Sequence, residues 1–177
     1  MEFTLDAAER EALLSLARRV IETDGRAELP GGGELDRPHG AFVTLHRHGR
    51  LRGCIGRMLP GESLAATVAD MARAAAYGDP RFPPVSPQEF PELELEISVL
   101  SPMERCGPGD ILPGVHGVLL SLGHRTGVFL PQVATEQGWD RERLLTELCG
   151  KAGLPPGSWK APGAELSRFT ALVFGER

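Results

Sequence analysis

Gly40-Ala41-Phe42-Val43-Thr44-Leu45-His46-Arg47-His48-Gly49-Arg50-Leu51-Arg52-Gly53-Cys54-Ile55-Gly56 is the stretch that decides the fold class. Its first half sets Ala41, Val43 and Leu45 against Phe42, Thr44 and His46, the period-two pattern of a strand with one buried face. Gly49 marks a turn, and Leu51 to Gly56 returns as a second strand, so the spacing predicts an antiparallel hairpin. His46, Arg47, His48 and Arg50 read as an exposed cationic turn. The clearest single strand is Leu93 to Leu100, with Leu93, Leu95, Ile97 and Val99 on one face and Glu94, Glu96 and Ser98 on the other. A second hairpin is predicted where Val118–Leu122 and 127–130 flank Gly123-His124-Arg125-Thr126. The tail from Leu166 to Phe174 reads as a last strand.

Helices are interspersed with these strands. Leu13, Leu16, Ala17, Val20 and Ile21 recur at helical spacing, Asp6 with Glu9 forms a capping-box pattern, and Gly25 is placed to stop the helix. Ser63 is the expected N-cap of a helix reaching Tyr77, whose Ala65, Val68, Ala69, Ala72 and Ala76 let it lie close to a neighbour. Pro131 suits the first position of a short helix. Asp140 caps another, running to about Ala152 and ended by Gly153. The pattern predicts an α+β fold, a mostly antiparallel sheet with flanking helices. A doubly wound parallel sheet does not fit, because no glycine fingerprint joins a strand to a helix.

The 177 residues, 41% of them hydrophobic, suit one globular domain with a real core. The formal net charge of -5 argues against a general nucleic-acid binder, which carries a basic excess. No run approaches the roughly 18 apolar residues of a membrane span, and Met1-Glu2-Phe3-Thr4 lacks the basic start of a signal peptide. The three cysteines, Cys54, Cys106 and Cys149, form neither a disulfide framework nor a metal pair, so a reducing, cytoplasmic setting is expected.

Cys54 carries the chemical interest. On a strand residues two apart share a face, so Arg52 is expected beside it, and a guanidinium there favours the thiolate. Gly53 and Gly56 leave room for a ligand or for another backbone. The competing reading is a small buried hydrophobe, a common role for free cysteine. A nucleophile needs a base and a group to orient it. His116, between glycines in Gly114-Val115-His116-Gly117, is the candidate base, or else an imidazole that caps its own loop. Glu96 orients a base or receives a proton if its face borders a cleft, and is otherwise a solvated strand residue. Asp79 and Arg81 bracket a proline. Asp79 either moves protons or binds turn backbone, and Arg81 either grips a carboxylate or phosphate or holds the turn. No residues show metal-ligand spacing.

The hexapeptide at 51–56, Leu-Arg-Gly-Cys-Ile-Gly, resembles the hallmark of the AMMECR family, also called AmmeMemoRadiSam system protein A. The similarity continues in order through Gly40 to Leu45, Asp79-Pro80-Arg81-Phe82-Pro83-Pro84, Glu96 to Leu100, Gly114 to Gly117, Phe129 to Ala134, and Glu136 to Gly153. It covers about residues 3 to 175 and is weakest at 106–113 and 155–163. The resemblance implies one domain over residues 1–177, with a larger subdomain built from both chain ends, a smaller one from the middle, and a cleft near the hexapeptide. It also implies company: a Memo-like protein related to extradiol dioxygenases, and a radical SAM protein. Neither a reaction nor a cofactor comes with it. The expectations are an enzyme or enzyme subunit working through Cys54, His116, Glu96 and Asp79 with Arg52, Gly53, Gly56 and Arg81 binding a ligand; a non-catalytic partner module; or, least, a nucleic-acid-associated factor.

Overall fold

The computed structural model describes residues 3–176. The signal-peptide reading rests partly on Met1 and Glu2, which lie outside that span. In chain order the elements are α1 (Ala7–Thr23), β1 (Ala41–Arg47), β2 (Arg50–Arg57), α2 (Leu64–Tyr77), β3 (Leu93–Leu100), β4 (Glu104–Cys106), β5 (Gly117–Leu122), β6 (Arg125–Phe129), α3 (Pro131–Gln137), α4 (Arg141–Lys151), β7 (Glu165–Phe169) and β8 (Ala171–Gly175). The pairs β1–β2, β1–β3, β4–β7, β5–β6 and β5–β7 are all antiparallel, and the fold is α+β. Among the described residues no helix is long and apolar enough to cross a membrane.

The chain divides into two compact units. The first runs through Leu100 and resumes at Leu172. Its sheet has the order β2-β1-β3-β8. Ala41, Val43 and Leu45 of β1 and Leu93, Leu95, Ile97 and Val99 of β3 are buried in one cluster with Leu13, Leu16, Val20 and Ile21 of α1 and Val68, Ala72 and Ala76 of α2. Each large aliphatic side chain so buried contributes about 1.5–3 kcal/mol. The capping box forms as its sequence predicts: Asp6 accepts from the Glu9 N–H at 2.8 Å, and Glu9 accepts from the Asp6 N–H at 3.0 Å. The helix ends at Thr23, ahead of Gly25, and Asp24 takes the left-handed conformation at φ 53° with Gly25 following at φ 91°. Ser63 caps α2 by accepting from the Ala66 N–H at 3.2 Å.

The second unit spans Ser101–Ala171. Its sheet has the order β4-β7-β5-β6. Val118 and Leu120 pack with Leu144, Leu145, Leu148, Cys149 and Leu166. Two expectations need correction. The glycine- and proline-rich stretch after Leu100, which reads as loop through about Val115, contains β4, a three-residue strand too short to carry a period. The single tail strand is two, broken at Thr170, and β7 and β8 belong to different sheets.

Candidate functional site

β1 and β2 pair as the hairpin pattern predicts, but not in unbroken register. Leu45 faces Gly53 and His46 faces Leu51, which leaves Arg52 as the extra residue of a bulge. Leu51 and Arg52 thus oppose His46 together, and the hydrogen bonds of the Arg52 guanidinium do not include the Cys54 thiol. Arg52 turns instead to Glu89: Nε donates to one carboxylate oxygen at 2.8 Å and Nη2 to the other at 3.2 Å. Both side chains are close to nine-tenths buried. Arg47 donates to the same carboxylate at 3.1 Å. The Arg52 hydrogen bonds, first among the causes, hold the Glu89 carboxyl down at about 2. The expected anion ligand is therefore already occupied by the protein's own acid, although its Nη1 is buried with no hydrogen-bond partner.

Gly53 and Gly56 each stand against a close neighbour within the fold. A Cβ on Gly53 would stand 2.2 Å from the Ala75 carbonyl oxygen, so the missing side chain lets β2 lie against α2. A Cβ on Gly56 would stand 2.1 Å from the Phe42 ring, which fills that space from the neighbouring strand.

Cys54 is half-buried. Its Sγ lies 3.1 Å from Oγ1 of Thr44, the residue opposite it on β1. The Cys54 backbone N–H donates to Asp79 Oδ2 at 3.0 Å, and its carbonyl accepts from Arg81 Nη2 at 3.3 Å. Both groups thus point away from β1. Cys54 and Thr44 then form a pair that exchanges no backbone hydrogen bonds, the closer of the two antiparallel spacings, which explains the contact between their side chains. Glu96 stands opposite Thr44 on β3, and one row, Cys54–Thr44–Glu96, crosses three strands. His46 and Glu94 form the neighbouring pair on the same face. The polar side of β3 is not uniformly solvated: Glu94 is exposed, Glu96 half-buried and Ser98 buried.

Asp79 follows the end of α2 and is buried, while Arg81 is largely exposed. Arg81 donates to Asp79 from its backbone N–H at 3.0 Å, from Nε at 3.1 Å and from Nη2 at 2.8 Å. Those side-chain bonds, with the Cys54 N–H next, hold the Asp79 carboxyl far below the usual carboxylate range. Such a group stays ionised and is a poor proton carrier near neutrality. Phe82 lies beside both guanidiniums, 5.4 Å from that of Arg81 and 6.0 Å from that of Arg52.

His116 belongs to the other unit. Its Nδ1 accepts from the Leu112 N–H at 3.0 Å, so the loop-capping alternative is the one its contacts describe. Burial, followed by the charge of Arg168, pushes its pKa down. Among the described residues no three His, Cys, Asp or Glu side chains gather as metal ligands do. Sequence reasoning missed Thr44 and Glu89. The alternation of β1 placed Thr44 on the polar side, but pairing it with Cys54 required the bulge. Ser86 with Glu89 has capping-box spacing, and Glu89 does bind the Ser86 N–H at 2.8 Å, yet nothing local announces its bond to Arg52.

Comparison with known proteins agrees with this architecture. The chain is 41% identical over 189 residues to a protein of Methanothermobacter thermautotrophicus, covering 97% of this chain and 96% of the relative. It is 44% identical over 183 residues to one from Thermococcus kodakarensis, covering 94% and 89%. The crystal structure of the uncharacterized protein PH0010 from Pyrococcus horikoshii matches with a TM-score of 0.80 at 40% identity, over 93% of this chain and 90% of that one. The AMMECR1 family model matches residues 14–174, and the chain belongs to that family.

Proposed function

We propose that the protein is a recognition module, which docks a partner or modified peptide on the sheet face bearing Thr44, Cys54 and Glu96. The observation that supports this reading is how completely the other motif residues are spent inside the fold. Arg52 is neutralised by Glu89, Asp79 is clamped by Arg81, and the two glycines admit a helix and a ring. The side chains of that face with polar capacity to spare are those of the cross-strand rows. A nucleophile's usual company, a base and its orienter, is not among the hydrogen-bond partners of Cys54. The partners in this reading are those the family resemblance implies, a Memo-like protein and a radical SAM protein of one modification system.

Titration calorimetry against each purified partner tests it. Glu96→Lys and Thr44→Arg are expected to weaken binding at least about tenfold, a difference of about 1.4 kcal/mol. Cys54→Ser is expected to bind as the parent does. Binding that ignores both bulky variants, or no binding to either partner, overturns the reading.

One observation favours an enzymatic alternative. Cys54 is reachable and hydrogen-bonded to a hydroxyl, whereas Cys149 is fully buried. In that case Cys54→Ser abolishes activity while partner binding survives, and iodoacetamide labels Cys54 in the native protein.

A further inference from the structure

β2 is an edge strand: the sheet order ends on it. An edge strand offers unpaired N–H and C=O groups, a template on which another chain can add a strand. In an antiparallel ladder a neighbouring residue would close the gap at Cys54 by exchanging two bonds, its C=O taking the Cys54 N–H and its N–H reaching the Cys54 C=O. Both bonds are already made, by side chains. The Asp79 carboxylate takes the N–H at 3.0 Å, and Arg81 Nη2 reaches the carbonyl at 3.3 Å. Two further hydrogen bonds lock the side chains to each other, and the Arg81 backbone N–H adds a third to the Asp79 carboxylate, so acceptor and donor are presented as one unit.

We infer that the Asp79–Arg81 turn is a false strand that closes the free edge of β2 against pairing with a second copy of this chain. The rest of the turn suits that task. Pro80 separates the two residues, and Pro83-Pro84 follows. Prolines have no N–H, so the plug cannot extend into a ladder of its own. The turn is tied back to α2 by the Val85 N–H, which donates to the Ala76 carbonyl at 2.9 Å, and to itself by the Phe82 N–H on the Asp79 carbonyl at 3.2 Å. The aromatic ring of Phe82 then lies under the Arg81 guanidinium. β2 contributes a second guard in Arg50, an exposed cation at the start of the edge, which discourages two identical edges from meeting. This assignment stands apart from the docking proposal, because it concerns the strand edge and not the sheet face.

The test is sedimentation velocity of Asp79→Ala/Arg81→Ala over a range of concentrations, with amide hydrogen exchange read across residues 50–57. The double variant is expected to self-associate reversibly. Its Cys54 amide should exchange roughly tenfold or more faster in the dilute monomer, and the β2 amides should regain protection in the dimer. A folded double variant that stays monomeric overturns the inference, as does a dimer in which β2 gains no protection. If the double variant fails to fold, Arg81→Ala decides, because it removes an exposed side chain. A Cys54 amide that speeds up several-fold supports the false strand, and an unchanged one overturns it.

Discussion

Glu89 shows what one buried carboxylate does when two arginines converge on it. Arg52 and Arg47 reach it from β2 and β1, and Ser86 donates its backbone N–H. Removing the charge leaves the Arg52 guanidinium buried and uncompensated, and breaking such a pair costs about 3–5 kcal/mol. Glu89→Gln is therefore expected to lower stability by about 3 kcal/mol in urea unfolding, the lower end because Arg47 is partly solvated. The same pair has a pH signature. The folded carboxyl titrates at about 2, below the ordinary carboxylate value. Its contribution is thus complete above about pH 4.5 and is lost as pH falls through about 2. Glu89→Gln should flatten that part of the acid-unfolding curve, and a variant as acid-sensitive as the parent contradicts the assignment.

At the scale of elements, what decided legibility was whether a signal was periodic and local. β1, β3 and both long helices were readable because their apolar residues recur at two or at three to four, and because Asp6 and Ser63 cap by short-range bonds. β4 was not readable, being three residues long, and the break at Thr170 was hidden because threonine is itself a strand-prone residue. The bulge was invisible for another reason: an extra residue leaves no trace in β2 until its partner is known, and it alone sets which residue of β1 stands opposite Cys54. The glycines of the hexapeptide were noticed, but their meaning depended on what lay opposite. That meaning is testable. Gly53→Ala drives a Cβ into the backbone of α2, which yields only by moving the helix, so it should destabilise by about 1–3 kcal/mol. Gly56→Ala meets the Phe42 side chain from Cγ outward, which yields by a change of χ1 without moving backbone, and should lose less. Equal losses, measured by urea unfolding, would show that α2 is not held by the approach to β2.

Across the whole molecule, two units with separate cores carry separate titrating groups, and acid should therefore loosen them in sequence. In the second unit His116 accepts the Leu112 N–H through Nδ1, a bond open only to the neutral ring. Burial favours that neutral form, Arg168 adds to it, and Glu104 opposes it, with the net effect a lowered pKa. A group protonated more readily unfolded than folded supports the fold fully above its unfolded value of about 6.5, and that support is lost as pH falls from there through the folded value. The Arg52–Glu89 pair of the first unit keeps its charge until far lower pH, since its carboxyl titrates at about 2. Between pH 7 and 5, amide exchange in the turn Leu112–His116 and the adjoining β5 is expected to accelerate while the amides of β2 beside the Arg52–Glu89 pair hold their protection. His116→Gln keeps an acceptor for the Leu112 N–H but has no proton to gain, so it should abolish the acceleration without loosening the turn at pH 7. Uniform loosening of both units, or an undiminished response in His116→Gln, would place the acid sensitivity elsewhere.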